Sequence, residues 1–191
     1  MTAFFNSLII VAFAEMGDRT QILSLLLAAQ FKKKWTILLG VFIATVLNHA
    51  LAAVSGQWIA SFLTPFILNI CLTVLFLGFA LWILVPDRLD EQKPSARYGA
   101  LLTTILTFFM AEMGDKTQFA TITLAARYHS TFWVTLGTTC GMLLSNGLAI
   151  FLGEKLTQKI SLTQIRWIAS AMYFIFAILT ALEALRLKLG Y

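Results

Sequence analysis

The chain has 191 residues, of which 59% are hydrophobic and 12% charged, with a mean hydropathy of +0.84 and a formal net charge of +5. A water-soluble globular domain cannot hide that much apolar surface, which excludes a soluble enzyme and leaves an all-α, polytopic membrane protein. The positive charge has a topological explanation, given below, and no nucleic-acid partner is expected.

Six apolar runs are long enough to cross the roughly 30 Å hydrocarbon core as helices: about 4 to 29, 36 to 59, 64 to 85, 99 to 126, 132 to 152 and 166 to 187. The first follows M-T-A-F-F-N-S-L-I-I, which lacks a basic n-region, so it is expected to be a retained helix and not a signal peptide. It contains A-E-M-G-D-R-T-Q at 14 to 21 and is followed by Lys32, Lys33 and Lys34. The second run carries Asn48 and His49 near its middle, and the third carries Cys71. The longest hydrophilic interval, 86 to 97, is too short for an appended domain. The fourth run contains A-E-M-G-D-K-T-Q at 111 to 118, and the fifth holds Cys140, Ser145 and Asn146. The two cysteines lack metal-ligand spacing and are expected to be buried thiols, not a disulfide. Trp35, Trp58, Trp82, Trp133 and Trp167 fall near predicted helix ends, as an interfacial aromatic belt requires.

The basic residues are unevenly placed. Connections after the first, third and fifth runs hold Lys32, Lys33, Lys34, Arg88, Lys93, Arg97, Lys155, Lys159 and Arg166; the other side holds Arg127, Arg186 and Lys188. By the positive-inside rule the first set is cytoplasmic and both termini are outside.

Displacing the sequence by 97 positions lays the first motif on the second, with 16 identities over the 43 positions from 14 to 56. The chain is therefore expected to be a single transmembrane domain, 1 to 191, made of a three-helix repeat over 1 to 86, a cytoplasmic linker over 87 to 97 and a second three-helix repeat over 98 to 191. An odd number of spans per unit makes the repeats inverted, a construction common in secondary transporters, whose substrate site lies near the midplane where the repeats meet.

Glu15 and Asp18 are three residues apart and share a helix face, as do Glu112 and Asp115. A charge at mid-membrane depth costs about 2.5 to 3.5 kcal/mol, so four acids cost on the order of 10 to 14 kcal/mol before pairing. Such a burden marks function. The four carboxylates are the expected metal ligands. Thr20, Gln21, Thr117 and Gln118 stand beside them as ligands or interhelical hydrogen-bond formers, and Asn48, Ser145 and Asn146, with His49, put further polar groups in the middle of the second and fifth runs, to hydrogen-bond between helices or to face the same cavity. An all-oxygen set suits a hard divalent cation such as Mn²⁺, Ca²⁺ or Mg²⁺ and disfavours zinc and copper. Met16 and Met113 are expected to pack. Arg19 and Lys116 offset two of the four negative charges, leaving what one divalent ion neutralises. When no metal is present, crowded acids in low dielectric are expected to hold protons instead, the minimal machinery of a cation/proton antiporter. Gly17 and Gly114, between the acids, either unwind the helix or let another backbone approach closely.

Two copies of E-x-G-D-(K/R)-T on the first and fourth of six helices resemble the Gdt family, small cation transporters that include the bacterial MneA-type manganese exporters and the Golgi manganese/calcium transporters. The resemblance covers essentially the whole chain. It marks Glu15, Gly17, Asp18, Arg19 and Thr20, then Glu112, Gly114, Asp115, Lys116 and Thr117. It implies Mn²⁺ or Ca²⁺ transport against protons, chiefly manganese export for a short bacterial-type member in the inner (plasma) membrane. No cofactor beyond the transported ion and coupled protons is implied, and oligomeric state has no signal. A passive cation channel or uniporter is the alternative within transport. An intramembrane aspartyl protease is disfavoured, because Glu15 and Glu112 stand where its G-x-G-D motif has glycine.

Overall fold

A computed structural model describes residues 1–85, 98–152 and 162–189. The proposed linker over 87 to 97, with Arg88, Lys93 and Arg97, lies outside these residues, as do Lys155 and Lys159. The described residues form eight α-helices: α1 Thr2–Glu15, α2 Arg19–Phe31, α3 Lys34–Ser61, α4 Pro65–Trp82, α5 Gly99–Glu112, α6 Lys116–Tyr128, α7 Thr131–Leu152 and α8 Leu162–Leu189. Four of them, α3, α4, α7 and α8, are long and apolar enough to cross a membrane. The other four are shorter, 13 or 14 residues each. At 1.5 Å per residue, the 14 residues of α1 reach only about 21 Å, short of the bilayer core. Helix α2 follows after three residues, and α5 and α6 are joined in the same way.

Both interruptions are made by the same residues in the same conformation. Met16 and Met113 are extended (φ −68°, ψ 116° and φ −66°, ψ 117°), Gly17 and Gly114 lie at φ 80° and 77°, and Asp18 and Asp115 return to extended backbone (ψ 166° in both) before the helix restarts. The left-handed position is open to glycine at little cost. A Cβ on Gly114 would meet nothing within 4 Å, so backbone conformation and not close packing accounts for this glycine. The two options left open by the sequence thus resolve to helix breaks. Even the connections after α2 and α6 correspond, with Lys32 and His129 both left-handed.

The halves are interlocked. Helix α3 packs on α5, and α7 packs on α1. A Cβ on Gly40 of α3 would come within 2.7 Å of Thr104 and 3.3 Å of the Leu101 carbonyl of α5; on Gly137 of α7 it would lie 3.0 Å from Ser7 and 2.4 Å from the Phe4 carbonyl of α1. Each of these residues is 97 positions from its counterpart, so the sequence repeat is also a packing repeat. Helices α4 and α8 pair with one another through Phe76, Phe79, Tyr173 and Phe176; Phe76 and Tyr173, also 97 apart, have ring centroids 6.4 Å apart.

Large apolar side chains also cover the outside, as expected for a surface facing lipid; the five tryptophans at helix ends are 39% to 74% exposed. One expectation fails here. Both cysteines are free thiols, but Cys71 is on the exposed face of α4 and Cys140 is half-buried, because positions between two spans' contact faces point to lipid, where a thiol is as acceptable as any apolar group.

Candidate functional site

The breaks bring α1, α2, α5 and α6 together at their interrupted ends, with α3 and α7 behind them. Glu15 closes α1 and Glu112 closes α5, both fully buried. Asp18 and Asp115 precede the first turns of α2 and α6 at 6% and 5% exposure. Carboxylate oxygens of Glu15, Glu112 and Asp115 lie within 4.8 Å of one another. Asp18 is buried close by in sequence and fold but is not within that group.

The two glutamates differ in their surroundings. Glu15 accepts hydrogen bonds on both oxygens, from Thr20 Oγ1 at 2.7 Å and from Thr117 Oγ1 of the other half. Glu112 has no hydrogen-bond partner on either oxygen among the described residues. A buried carboxylate without donors is costly in its charged form, so this position calls for a cation or a proton. Arg19 crosses between halves: its Nη2 donates to Asp115 Oδ1 at 3.1 Å and to the Ala111 carbonyl, near the end of α5, at 2.8 Å. Its side chain is 44% exposed, whereas Lys116 is buried at 7% and borders a small void with Asp18, Gly17 and Arg166.

The polar residues behind the acids do separate work. The N–H groups of Gly17 and Gly114 donate to Gln21 Oε1 and Gln118 Oε1, at 2.9 and 2.7 Å. Gln21 Nε2 reaches Ser145 on α7, and Gln118 Nε2 reaches Asn48 on α3. Asn146 bonds back to the Met142 carbonyl at 3.1 Å. His49 is fully buried with neither ring nitrogen hydrogen-bonded among the described residues, and it stands outside the carboxylate group. Met113 is 53% exposed and Met16 half-buried. Arg166, which the sequence marks only as a topology charge, faces the same void as Asp18; no local pattern signals this, since the two are brought together only by the packing of α8.

Chemically, three buried carboxylates with flanking hydroxyls make a hard-oxygen cluster. Oxygens that lie within 4.8 Å of one another are close enough to be bridged by one divalent ion with little movement.

Comparison with known proteins agrees with this chemistry. The family described as "Divalent cation/proton antiporter GDT1" matches twice, at residues 3–91 and 100–188. The chain belongs to this family. It is 43% identical over 182 residues to a Vibrio cholerae protein named "Putative manganese exporter", covering 95% of this chain and 91% of that one. It is 27% identical over 202 residues to a GDT1-like protein of Synechocystis (94% and 97% covered) and 26% identical over 213 residues to the chloroplastic protein PAM71 of Arabidopsis thaliana (95% and 57% covered). No solved structure matches it significantly. The chain is thus a multi-pass membrane protein of a divalent-cation transporter family and not an enzyme.

Proposed function

We propose that the protein is a secondary active transporter that exports Mn²⁺, with Ca²⁺ the second choice, in exchange for protons, through one site shared by both halves. The observation that carries this is the convergence of Glu15, Glu112 and Asp115, acids from both repeats, at two matched helix breaks. Each break interrupts a span where a backbone free of helical bonding is tolerated only if it lines a cavity or is buried in protein. In this reading α1 with α2, and α5 with α6, each make one span, giving six spans in two inverted three-helix repeats, 1 to 86 and 98 to 191, joined by a cytoplasmic linker over 87 to 97. The matched packing of α3 on α5 and α7 on α1 supports it. With Arg166 set aside because it faces the Asp18 void, eight basic residues against three support termini outside a bacterial inner membrane.

The ion is the substrate. Glu15, Glu112, Asp115 and Asp18 hold it, with Thr20 and Thr117 able to turn a hydroxyl oxygen toward it; Arg19 and Lys116 limit the net charge of the empty site. Binding displaces protons from the acids, and protons arriving from outside expel the ion, so a proton gradient drives export. The name of the Vibrio relative favours manganese. Cells with and without the protein, challenged with Mn²⁺, Ca²⁺, Co²⁺ and Mg²⁺, test it: loss of the protein sensitises cells to Mn²⁺ first, and sensitivity to none of the four contradicts the assignment.

A further inference from the structure

Gln21 and Gln118 close the same circuit in the two halves. The amide oxygen of each accepts the N–H of the break glycine four residues before it, at 2.9 Å for Gly17 and 2.7 Å for Gly114. The amide nitrogen of each then leaves its own repeat. Gln21 Nε2 donates to the Ser145 carbonyl at 3.1 Å and to Ser145 Oγ at 3.2 Å; Gln118 Nε2 donates to Asn48 Oδ1 at 2.6 Å, and Asn48 Nδ2 continues to the Phe109 carbonyl of α5 at 3.4 Å. Positions 48 and 145 are 97 apart, as are 21 and 118, so the circuit is repeated and not incidental.

We infer that Gln21 and Gln118, anchored on Ser145 and Asn48, are positioning residues that set each helix break from the opposite repeat, so that the acids on both sides of the break reach the shared site together. A break held only by its own glycine would be a loose hinge, since glycine has no conformational preference that fixes it. Here the glycine N–H, one of the groups a broken helix leaves without a partner, is fixed to a side chain that is itself fixed to a neighbouring span. The glutamine oxygen facing the break accepts that N–H and keeps a second lone pair, so positioning and direct ligation are told apart by the variants below. Because α3 also packs on α5 and α7 on α1, a shift of α3 is passed to both sides of the second break and a shift of α7 to both sides of the first. The functional consequence rests on the transport reading above; the geometry does not.

The two anchors differ in a way that makes the inference testable. Gln21 retains the Ser145 backbone oxygen if the hydroxyl is removed, whereas Gln118 Nε2 is left with a long 3.9 Å contact to Met113 Sδ once the Asn48 side chain is lost. Full-length Gln118→Met, Asn48→Ala, the double variant and Ser145→Ala are reconstituted and assayed for Mn²⁺ flux, alongside amide hydrogen exchange across residues 113–118. Losing this part-buried hydrogen bond is expected to raise the half-saturating Mn²⁺ concentration about tenfold in Gln118→Met and in Asn48→Ala. Because both break one linkage, the double variant stays near tenfold and does not approach a hundredfold. Ser145→Ala changes it less than about twofold, and maximal rates of properly inserted protein change less than about threefold, since no acid is lost. A merely structural defect would lower the maximal rate through loss of active protein and leave half-saturation alone. Exchange at Gly114 accelerates in Gln118→Met. An unchanged Asn48→Ala beside an impaired Gln118→Met makes the glutamine a ligand and overturns the inference, as do additive effects or unaltered exchange. If the wild-type protein moves no divalent cation, the transport reading falls, while the exchange result still decides the positioning role.

Discussion

Glu112→Gln separates the proposed metal site from the fold cleanly. The wild-type side chain is fully buried, and neither of its oxygens has a hydrogen-bond partner among the described residues, so the amide removes no contact that holds the protein together. It does remove one of three carboxylates gathered within 4.8 Å. Deleting one partner of a buried charge pair costs about 3 to 5 kcal/mol, and at about 1.4 kcal/mol per factor of ten this lowers divalent affinity by two to nearly four orders of magnitude. Without metal the effect on stability runs the other way: the variant escapes the burial of an acid without donors, so its thermal midpoint is unchanged or rises by a few degrees, about 2 to 4 °C per kcal/mol for a chain of this size. Glu15→Gln behaves differently, because Glu15 accepts from Thr20 and Thr117, and its loss of affinity comes with a lower midpoint. Calorimetric Mn²⁺ titration and thermal unfolding of both purified variants measure this. A Glu112→Gln protein that binds Mn²⁺ like the wild type, or that is destabilised as much as Glu15→Gln, would refute the reasoning.

Asp18→Asn and Asp115→Asn are each expected to abolish transport while the protein remains inserted; flux that depends on only one half would dissolve the shared site. Metal affinity falls as pH falls, because protons and the ion compete for the same acids, and calorimetry in buffers of different ionisation enthalpy detects protons released on binding; pH-independent affinity with no release near neutrality contradicts this. Gly114→Ala forces a side chain to a φ of 77° in open space, so it costs about 1 to 2 kcal/mol through backbone strain alone, read as a lowered thermal midpoint. A cysteine placed at position 33 reacts with impermeant thiol reagents from inside only; labelling from outside intact cells reverses the proposed orientation.

Much of the site is legible in the sequence because membrane burial makes charge conspicuous. Glu15, Asp18, Glu112 and Asp115 stand out as acids at mid-span depth, and a displacement of 97 residues is enough to pair them. The glycine between each acid pair offers two outcomes with the same local signal, and only the dihedral angles decide for a break: Gly17 and Gly114 at φ 80° and 77°. The partners of Arg19 are not legible. Its neighbours in sequence suggest a pair with Asp18, but the restarted helix turns it across the interface to Asp115 and the Ala111 carbonyl. Nor is the inequality of Glu15 and Glu112, since identical motifs imply identical surroundings, and it takes Thr20 and Thr117 both turning to Glu15 to distinguish them. The glutamines read as polar groups beside a site; that each spans from its own glycine to the opposite repeat depends on the register of α3 against α6 and of α7 against α2.

Coupled flux in sealed proteoliposomes bears most directly on a cation/proton antiporter built around one shared site. With equal Mn²⁺ on both sides and an imposed pH gradient, Mn²⁺ should move toward the acidic side while protons move the opposite way, both saturating at the same Mn²⁺ concentration and both lost in Glu112→Gln. Mn²⁺ that moves only down its own gradient, with no counterflow of protons and no response to the pH gradient, would make the protein a passive pathway and contradict the coupling.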